Sequence, residues 1–385
     1  MFFQQQTPEE MNMQAVQLKT RIQELLDCAG VTIDGDRPWD IRIHDQRFYA
    51  RVLAEGSLLG LGESYLDGWW DCDALDQFIH RVIRAELDKQ VTPKKDWMFA
   101  VKAKVLNLQD STRAYEVGKH HYDIGNDLYQ KMLDSRMTYS CGYWKEARDL
   151  EEAQEAKLDL VCRKLGLEPG MRVLDIGCGW GGTARFAAER YGAEVVGITV
   201  SREQVEYGQA LCKGLPVEIR YQDYRSVSER FDRILSLGMF EHVGVKNYQT
   251  FMTRVRNLLE DDGLFLLHTI GRLESRSDCE PWISRYIFPN SMLPSARQIC
   301  AAFEGLFVLE DWHSFGADYD PTLMAWHENF TQRWDELQKA YDQRFFRMWT
   351  YYLLTCAGAF RARSNQLWQL VLSPRGVQGR YDAPR

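Results

Sequence analysis

Apolar residues in the second half of the chain fall into short, nearly continuous runs, separated by stretches with helical spacing. The runs at 172–176 (RVLDI), 194–199 (EVVGIT), 217–221 (VEIRY), 231–236 (FDRILS) and 263–270 (GLFLLHTI) read as strands. Helical patterns at 183–190, 202–212 and 246–259 lie between several of them. Strands apolar on both faces, alternating with helices, predict a parallel α/β sheet covered on both sides. Residues 272–303 break the alternation with Pro281, Trp282, Pro289 and Pro294. An insertion between late strands lies near the strand ends, where it can cover a site. A strand at 306–312, helices at 323–340 and 343–360, and a last strand near 366–372 complete the pattern.

Before the sheet the pattern differs. Residues 1–88 read as a small N-terminal domain, rich in aromatics between closely spaced glycines (EGSLLGLGESYLDGWW). Residues 89–119 read as a basic linker and 120–385 as the main domain. Within the linker Trp97, Val101, Val105 and Leu108 fall at helical spacing near Lys94, Lys95, Lys102 and Lys104. Either packing on the main domain or an interfacial amphipathic helix explains that spacing.

The 385 residues, 45% hydrophobic, exclude wholesale disorder and suggest one large domain with a smaller one. No apolar run reaches the roughly 20 residues of a membrane span, and no secretion signal is visible at the start. Nine cysteines without a C-x-x-C pair argue against structural zinc and for a reducing, cytoplasmic setting. Net charge is −8, which argues against a nucleic-acid partner. Seven Lys/Arg against three acids at 89–119, and five Arg against Asp382 from Arg361 onward, suggest an anionic partner surface.

Directly after the first predicted strand stands Asp175-Ile-Gly177-Cys-Gly179-Trp-Gly181-Gly182, opening a helix. Such glycines let the backbone approach a ligand, and the helix N-terminus offers free N–H groups. The string also fits the dinucleotide pattern G-x-G-x-x-G, but the second strand ends in Thr199 rather than the acid an NAD ribose wants. Asp175 is placed for a cationic or hydroxyl-bearing ligand, and Asp223, after the third strand, for an exocyclic amine. The loop resembles that of S-adenosylmethionine-dependent methyltransferases, which implies a Rossmann-like class I sheet with helices on both faces.

Further motifs, in order, are HYDIGNDLY, MTYSCGYW, VVGITVSREQ, MFEHVG, LLHTIG, YIFPN, WHSFGADYDPTLMAW and YYLLTCAGAFRAR. Together they resemble the cyclopropane-fatty-acyl-phospholipid synthases, relatives of the mycolic acid cyclopropane synthases, over nearly the whole chain. The EGSL/GESY segment, one extra Leu aside, is similar to the bacterial phospholipid-acting form. The resemblance implies methyl transfer from S-adenosylmethionine to a cis double bond of a phospholipid acyl chain, then proton loss and ring closure. It further implies bound bicarbonate as general base, cradled by Cys141, Glu241, His268, the Ile270 backbone and Tyr319. Cys356 is where the family signature places an active-site cysteine, although nothing near it in sequence suggests a lowered thiol pKa.

For the cofactor the resemblance implies Tyr139 and Ser140 at the amino-acid end, with Gly177, Gly179 and Asp175. Thr199, Ser201 and Gln204 fall on the ribose side, and Asp223 with Tyr224 on the adenine side. It also implies a homodimer acting at the inner face of the membrane. Two other readings fit the loop: methylation of a hydroxyl or amine, and a lipid carrier with a vestigial cofactor loop.

Overall fold

The computed structural model describes residues 8–55, 57–87 and 124–385, with side chains from residue 18 onward apart from 53–57. The basic stretch 89–119, with its helical spacing and lysines, lies outside the described residues.

Seven strands form the main sheet: β3 (Arg172–Ile176), β4 (Glu194–Thr199), β5 (Val217–Tyr221), β6 (Phe231–Leu237), β7 (Leu259–Arg272), β8 (Val308–Ser314) and β9 (Asn365–Ser373). Their order is β5-β4-β3-β6-β7-β9-β8. The pairs from β5 to β7 are parallel, while β9 runs antiparallel between β7 and β8. Alternate residues serve opposite faces, as the two-residue strand period requires. Leu174, Ile176, Val196, Ile234 and Phe265 pack under α9 (Tyr248–Leu258) and α11 (Ala296–Phe303). Val173, Val195, Ile219, Leu235 and Leu266 pack under α6 (Leu150–Lys164) and α7 (Gly182–Tyr191). Asp175, two positions after Val173, therefore points to the α6 face.

The first three predicted strands coincide with β3, β4 and β5, and the insertion at 272–303 contains α10 (Pro281–Tyr286) and α11. One expected helix differs. The stretch predicted at 323–340 begins earlier as α12 (Tyr319–Gln332), then stops, and α13 (Trp334–Leu337) follows. Pro321 lies in the first turn of α12, where a missing N–H costs nothing.

The N-terminal segment contributes α1 (Pro8–Asp27), α2 (Arg47–Glu55), α3 (Ser57–Leu66) and α4 (Leu75–Arg84), with a two-stranded ribbon of β1 (Arg42–Ile43) and β2 (Trp70–Asp71). Its aromatics Phe48, Tyr65, Trp70 and Phe78 are buried. They belong to one continuous apolar cluster with residues of α12 and α14 (Gln343–Arg361). A Cβ at Gly358 on α14 would lie 2.6 Å from the Asp76 carbonyl oxygen and 2.9 Å from Cβ of Ile79, so glycine permits the close approach of α4. Arg361 adds ion pairs to Asp76 and to Asp320.

Four of the five arginines from Arg361 onward have acidic partners. Arg361 is paired as above, Arg375 pairs with Asp261, Arg380 with Asp382, and Arg385 with Asp311. No helix among the described residues is long and apolar enough to cross a membrane.

Candidate active site

A cavity of about 150 Å³ opens beyond the carboxyl ends of β3, β4 and β6. Tyr139, Ser140, Asp175, Gly177, Gly179, Thr199, Gln204, Asp223 and Tyr224 line it, with Trp180, Met239 and His242. Nine of the ten residues expected at a cofactor thus meet in one place. Gly177 has φ +82°, and a Cβ there would come 2.8 Å from Met239, so both the turn and the space require glycine. The Thr199 hydroxyl lies 2.6 Å from Oε1 of Gln204. Asp223 accepts from the Arg225 backbone N–H and guanidinium, each at 2.8 Å.

Ser201 departs from the expectation. It is absent from the cavity lining and caps α8 (Arg202–Leu211) by accepting the Gln204 N–H at 3.3 Å. The cap accounts for a serine at that position.

Asp175 is nearly fully buried, and its Oδ2 has no hydrogen-bond partner. Burial pushes its carboxyl up to about 7, against the lowering influence of Lys157. A ligand ammonium would supply the missing partner, so the residues present fit the amino-acid end of S-adenosylmethionine.

A second cavity, of about 900 Å³, lies alongside. Its wall includes Trp282, Phe288, Leu323, Trp326, Tyr352 and Phe360, an apolar and aromatic surface suited to a chain of methylenes. Tyr139, Gly238 and His242 line both cavities, which makes them the border between the two. The Tyr139 and Tyr352 hydroxyl oxygens are 2.9 Å apart, and the Tyr139 ring lies 5.1 Å from that of Trp326.

Glu241 sits on the 3₁₀ turn after β6 and reaches β7, where Oε1 accepts the Ile270 N–H at 2.7 Å. Its Oε2 is buried without a partner, and burial pushes the carboxyl up to about 7. His268 precedes Ile270 by two and shares its face of β7. The Gln369 amide nitrogen is 3.2 Å from its Nδ1, so that nitrogen accepts and Nε2 carries the proton. That Nε2 is also buried without a partner, and burial holds the ring neutral. Tyr319 opens α12 and stacks on Phe360 at 4.4 Å; burial keeps its phenol protonated.

Glu241, Ile270, Tyr319 and Cys356 line the larger cavity. His268 and Cys141 are absent from the lining and lie buried in the protein. The Cys141 sulfur faces the Gly142 carbonyl at 3.2 Å and the Thr322 hydroxyl at 3.8 Å. The Ile270 N–H, expected to face a bound anion, is taken by Glu241. Burial pushes the Cys356 thiol up to about 12, so it is no thiolate at neutral pH.

Two residues escaped the sequence reading. His242 was visible only as the neighbour of Glu241; burial holds it down to about 4, and its Nδ1 has no partner. Lys157 on α6 is fully buried. The buried face of α6 carries Gln154, Lys157, Val161 and Lys164 at spacings of three, four and three. Lysines within such a stripe are the signal that could have revealed it.

A doubly wound sheet, a glycine turn after its first strand and a cavity at the strand ends define a class I S-adenosylmethionine-dependent methyltransferase. The chain belongs to the mycolic acid cyclopropane synthetase family, whose model matches residues 109–370. It is 56% identical over 356 residues to the cyclopropane-fatty-acyl-phospholipid synthase of Escherichia coli K12, covering 92% of this chain and 93% of that enzyme. Identity to cyclopropane mycolic acid synthase 2 of Mycobacterium bovis is 36%, over 67% of this chain and 94% of the relative. Among solved structures, the cyclopropane synthase MmaA2 from Mycobacterium tuberculosis matches with TM-score 0.64 at 32% identity, over 67% of this chain and 97% of its own. The mycolic acid cyclopropane synthase CmaA1 complexed with SAH and CTAB matches with TM-score 0.63, also at 32% identity, covering 67% and 97%.

Proposed function

We propose that this enzyme adds a methylene from S-adenosylmethionine across a cis double bond of an unsaturated phospholipid acyl chain, forming a cyclopropane. The observation that carries this reading is the meeting of two cavities at Tyr139, Gly238 and His242, with Glu241 beside the border. The small cavity suits the sulfonium donor and the aromatic one an alkene. An alkene is a weak nucleophile, so the walls must align it with the donor methyl and keep water out. As its π electrons form the new carbon–carbon bond, the sulfonium leaves as a thioether and the chain gains cationic character. The faces of Tyr139, Trp326, Tyr352 and Phe360 stabilise that charge without capturing it. Loss of a proton from the added carbon then closes the ring.

Glu241 Oε2 and the His268 Nε2–H form an acceptor and a donor that lack partners, and Tyr319 adds a phenolic donor. Glu241 and Tyr319 line the larger cavity, so the set suits a small oxyanion such as bicarbonate that reaches past that lining to His268. When bound, bicarbonate would supply a base too weakly nucleophilic to be alkylated. Glu241 would orient it, and His268 and Tyr319 would donate to its oxygens.

The same proposal has the enzyme act at the inner face of the membrane in the cytoplasm, as a homodimer, which the family resemblance implies. The division into residues 1–88 for docking or dimerisation, a basic linker at 89–119 and a catalytic part from 120 belongs to the same proposal. The lysine-rich linker sequence supports attraction to anionic lipid. Mass spectrometry of unsaturated phospholipid vesicles after incubation with enzyme and S-adenosylmethionine tests the reaction. A gain of one methylene with loss of the olefin is expected. Methylation of a headgroup amine or hydroxyl, with the olefin retained, would overturn it.

A further inference from the structure

Lys157 carries its ammonium into the interior of the fold with no exposed surface. Its Nζ donates to the Ser140 hydroxyl oxygen at 2.9 Å. One turn earlier on α6, the Gln154 amide donates to the Ser140 carbonyl at 2.8 Å. Two side chains of one helix thus hold one cavity residue by its backbone and its hydroxyl. Asp175, across the cavity floor on β3, feels Lys157 as the cation that offsets its burial. A buried ammonium costs stability, and Asp134 and Asp175 are the two acids that offset this one.

We propose that Lys157 is a positioning residue for the amino-acid end of S-adenosylmethionine, acting through Ser140 and Asp175. This rests on the small cavity being the cofactor site. Because Ser140 accepts from Lys157, its own O–H must donate elsewhere. Ser140 lines the cavity, and the ligand's α-carboxylate is the acceptor that enters there. The same ammonium favours the ionised form of Asp175, which then pairs with the ligand's α-ammonium. One buried charge thereby presents a donor to the carboxylate and an anion to the ammonium.

The other titratable groups facing this pair are Asp134, Cys141, Cys162, Cys178, Cys212 and His268. Burial pushes the four thiols up and the imidazole down, so these five stay neutral near physiological pH. Asp134 accepts from the Thr138 and Arg136 backbone N–H groups and stays in its own turn. The Asp175 carboxyl, at about 7, and the Lys157 ammonium, at about 8, are left to set how cofactor affinity depends on pH.

Calorimetric titration of the full chain with S-adenosylhomocysteine and with 5′-methylthioadenosine tests this. The second ligand keeps the nucleoside and sulfur but lacks the amino-acid end. Lys157→Met should weaken S-adenosylhomocysteine about tenfold near neutral pH, with 5′-methylthioadenosine changed less than about twofold. It should also move the acid limb of the S-adenosylhomocysteine affinity profile to higher pH, because Asp175 loses its cation. Ser140→Ala, which leaves the helix core intact, should give the same selectivity with a loss of about fivefold. Equal loss for both ligands, no loss for either, or an unmoved acid limb overturns the proposal. If the unaltered chain binds neither ligand, the cofactor reading itself falls, and the role of Lys157 with it.

Discussion

Glu241 holds the Ile270 backbone N–H with one carboxylate oxygen at 2.7 Å and leaves the other buried without a partner. One oxygen fixes the group to β7 while the second stays available to a ligand. Glu241→Gln keeps the shape and the anchoring acceptor but not the charge. Ring formation should fall about a hundredfold or more, while S-adenosylhomocysteine affinity stays within about twofold. Equal loss of both, measured by product mass spectrometry and calorimetry, would contradict the role given to Glu241.

The same residue makes stability depend on pH. Its folded carboxyl is raised to about 7 from an ordinary 4.5, so the fold binds its proton more tightly than the unfolded chain does. The favourable contribution is complete below about 4.5 and is lost as pH rises through about 7. Glu241→Gln should remove that slope and leave the variant more stable than the parent above pH 7, by up to about 3 kcal/mol. Denaturant midpoints compared across this window check it; parallel curves for the two proteins would reject it.

Asp223 lines the small cavity, at the end proposed for the adenine, and it also pairs with Arg225 at 2.8 Å. Asp223→Ala should weaken S-adenosylhomocysteine about tenfold, the cost of losing a charged acceptor together with the anchor of a neighbouring cation. An unchanged dissociation constant would remove Asp223 from the site.

The lysines at 94, 95, 102 and 104 lie outside the described residues, but their charge can be tested directly. Replacing all four by Gln should lower binding to phosphatidylglycerol vesicles, most clearly at low salt. Binding that is unchanged at every salt concentration would separate this segment from membrane attachment.

The sheet was legible because parallel strands must be apolar on both faces, so RVLDI and EVVGIT stand out from their surroundings. The cofactor wall was legible because glycines and acids at strand ends carry their chemistry locally. Ser201, read as a ribose contact, serves as a helix cap, and both roles draw on the same residue type. Lys157 was missed because a lysine on a helix ordinarily faces water, and its place in the stripe of α6 gains meaning only once packing shows that face covered. The arginines of the tail raised an expectation of free positive charge, since their partners Asp76, Asp261 and Asp311 are far away in sequence. Long-range pairing is the information that local pattern lacks.

Gly358 marks a close approach of α4 to α14. Gly358→Leu should push the helices apart and cost about 1–3 kcal/mol, read from a lowered denaturant midpoint. An unchanged midpoint would show that the contact is loose.

That approach also bears on how the protein could be shortened. The helices before residue 88 and the last long helix share one buried cluster, with the Tyr65 ring 5.4 Å from that of Tyr351, so neither side has a finished surface of its own. Excising the leading segment would strip the remainder of its lining and leave a greasy scar on α14. A viable trimmed version would have to repaint that scar with polar side chains, and cutting alone would yield an insoluble remnant rather than a smaller catalyst.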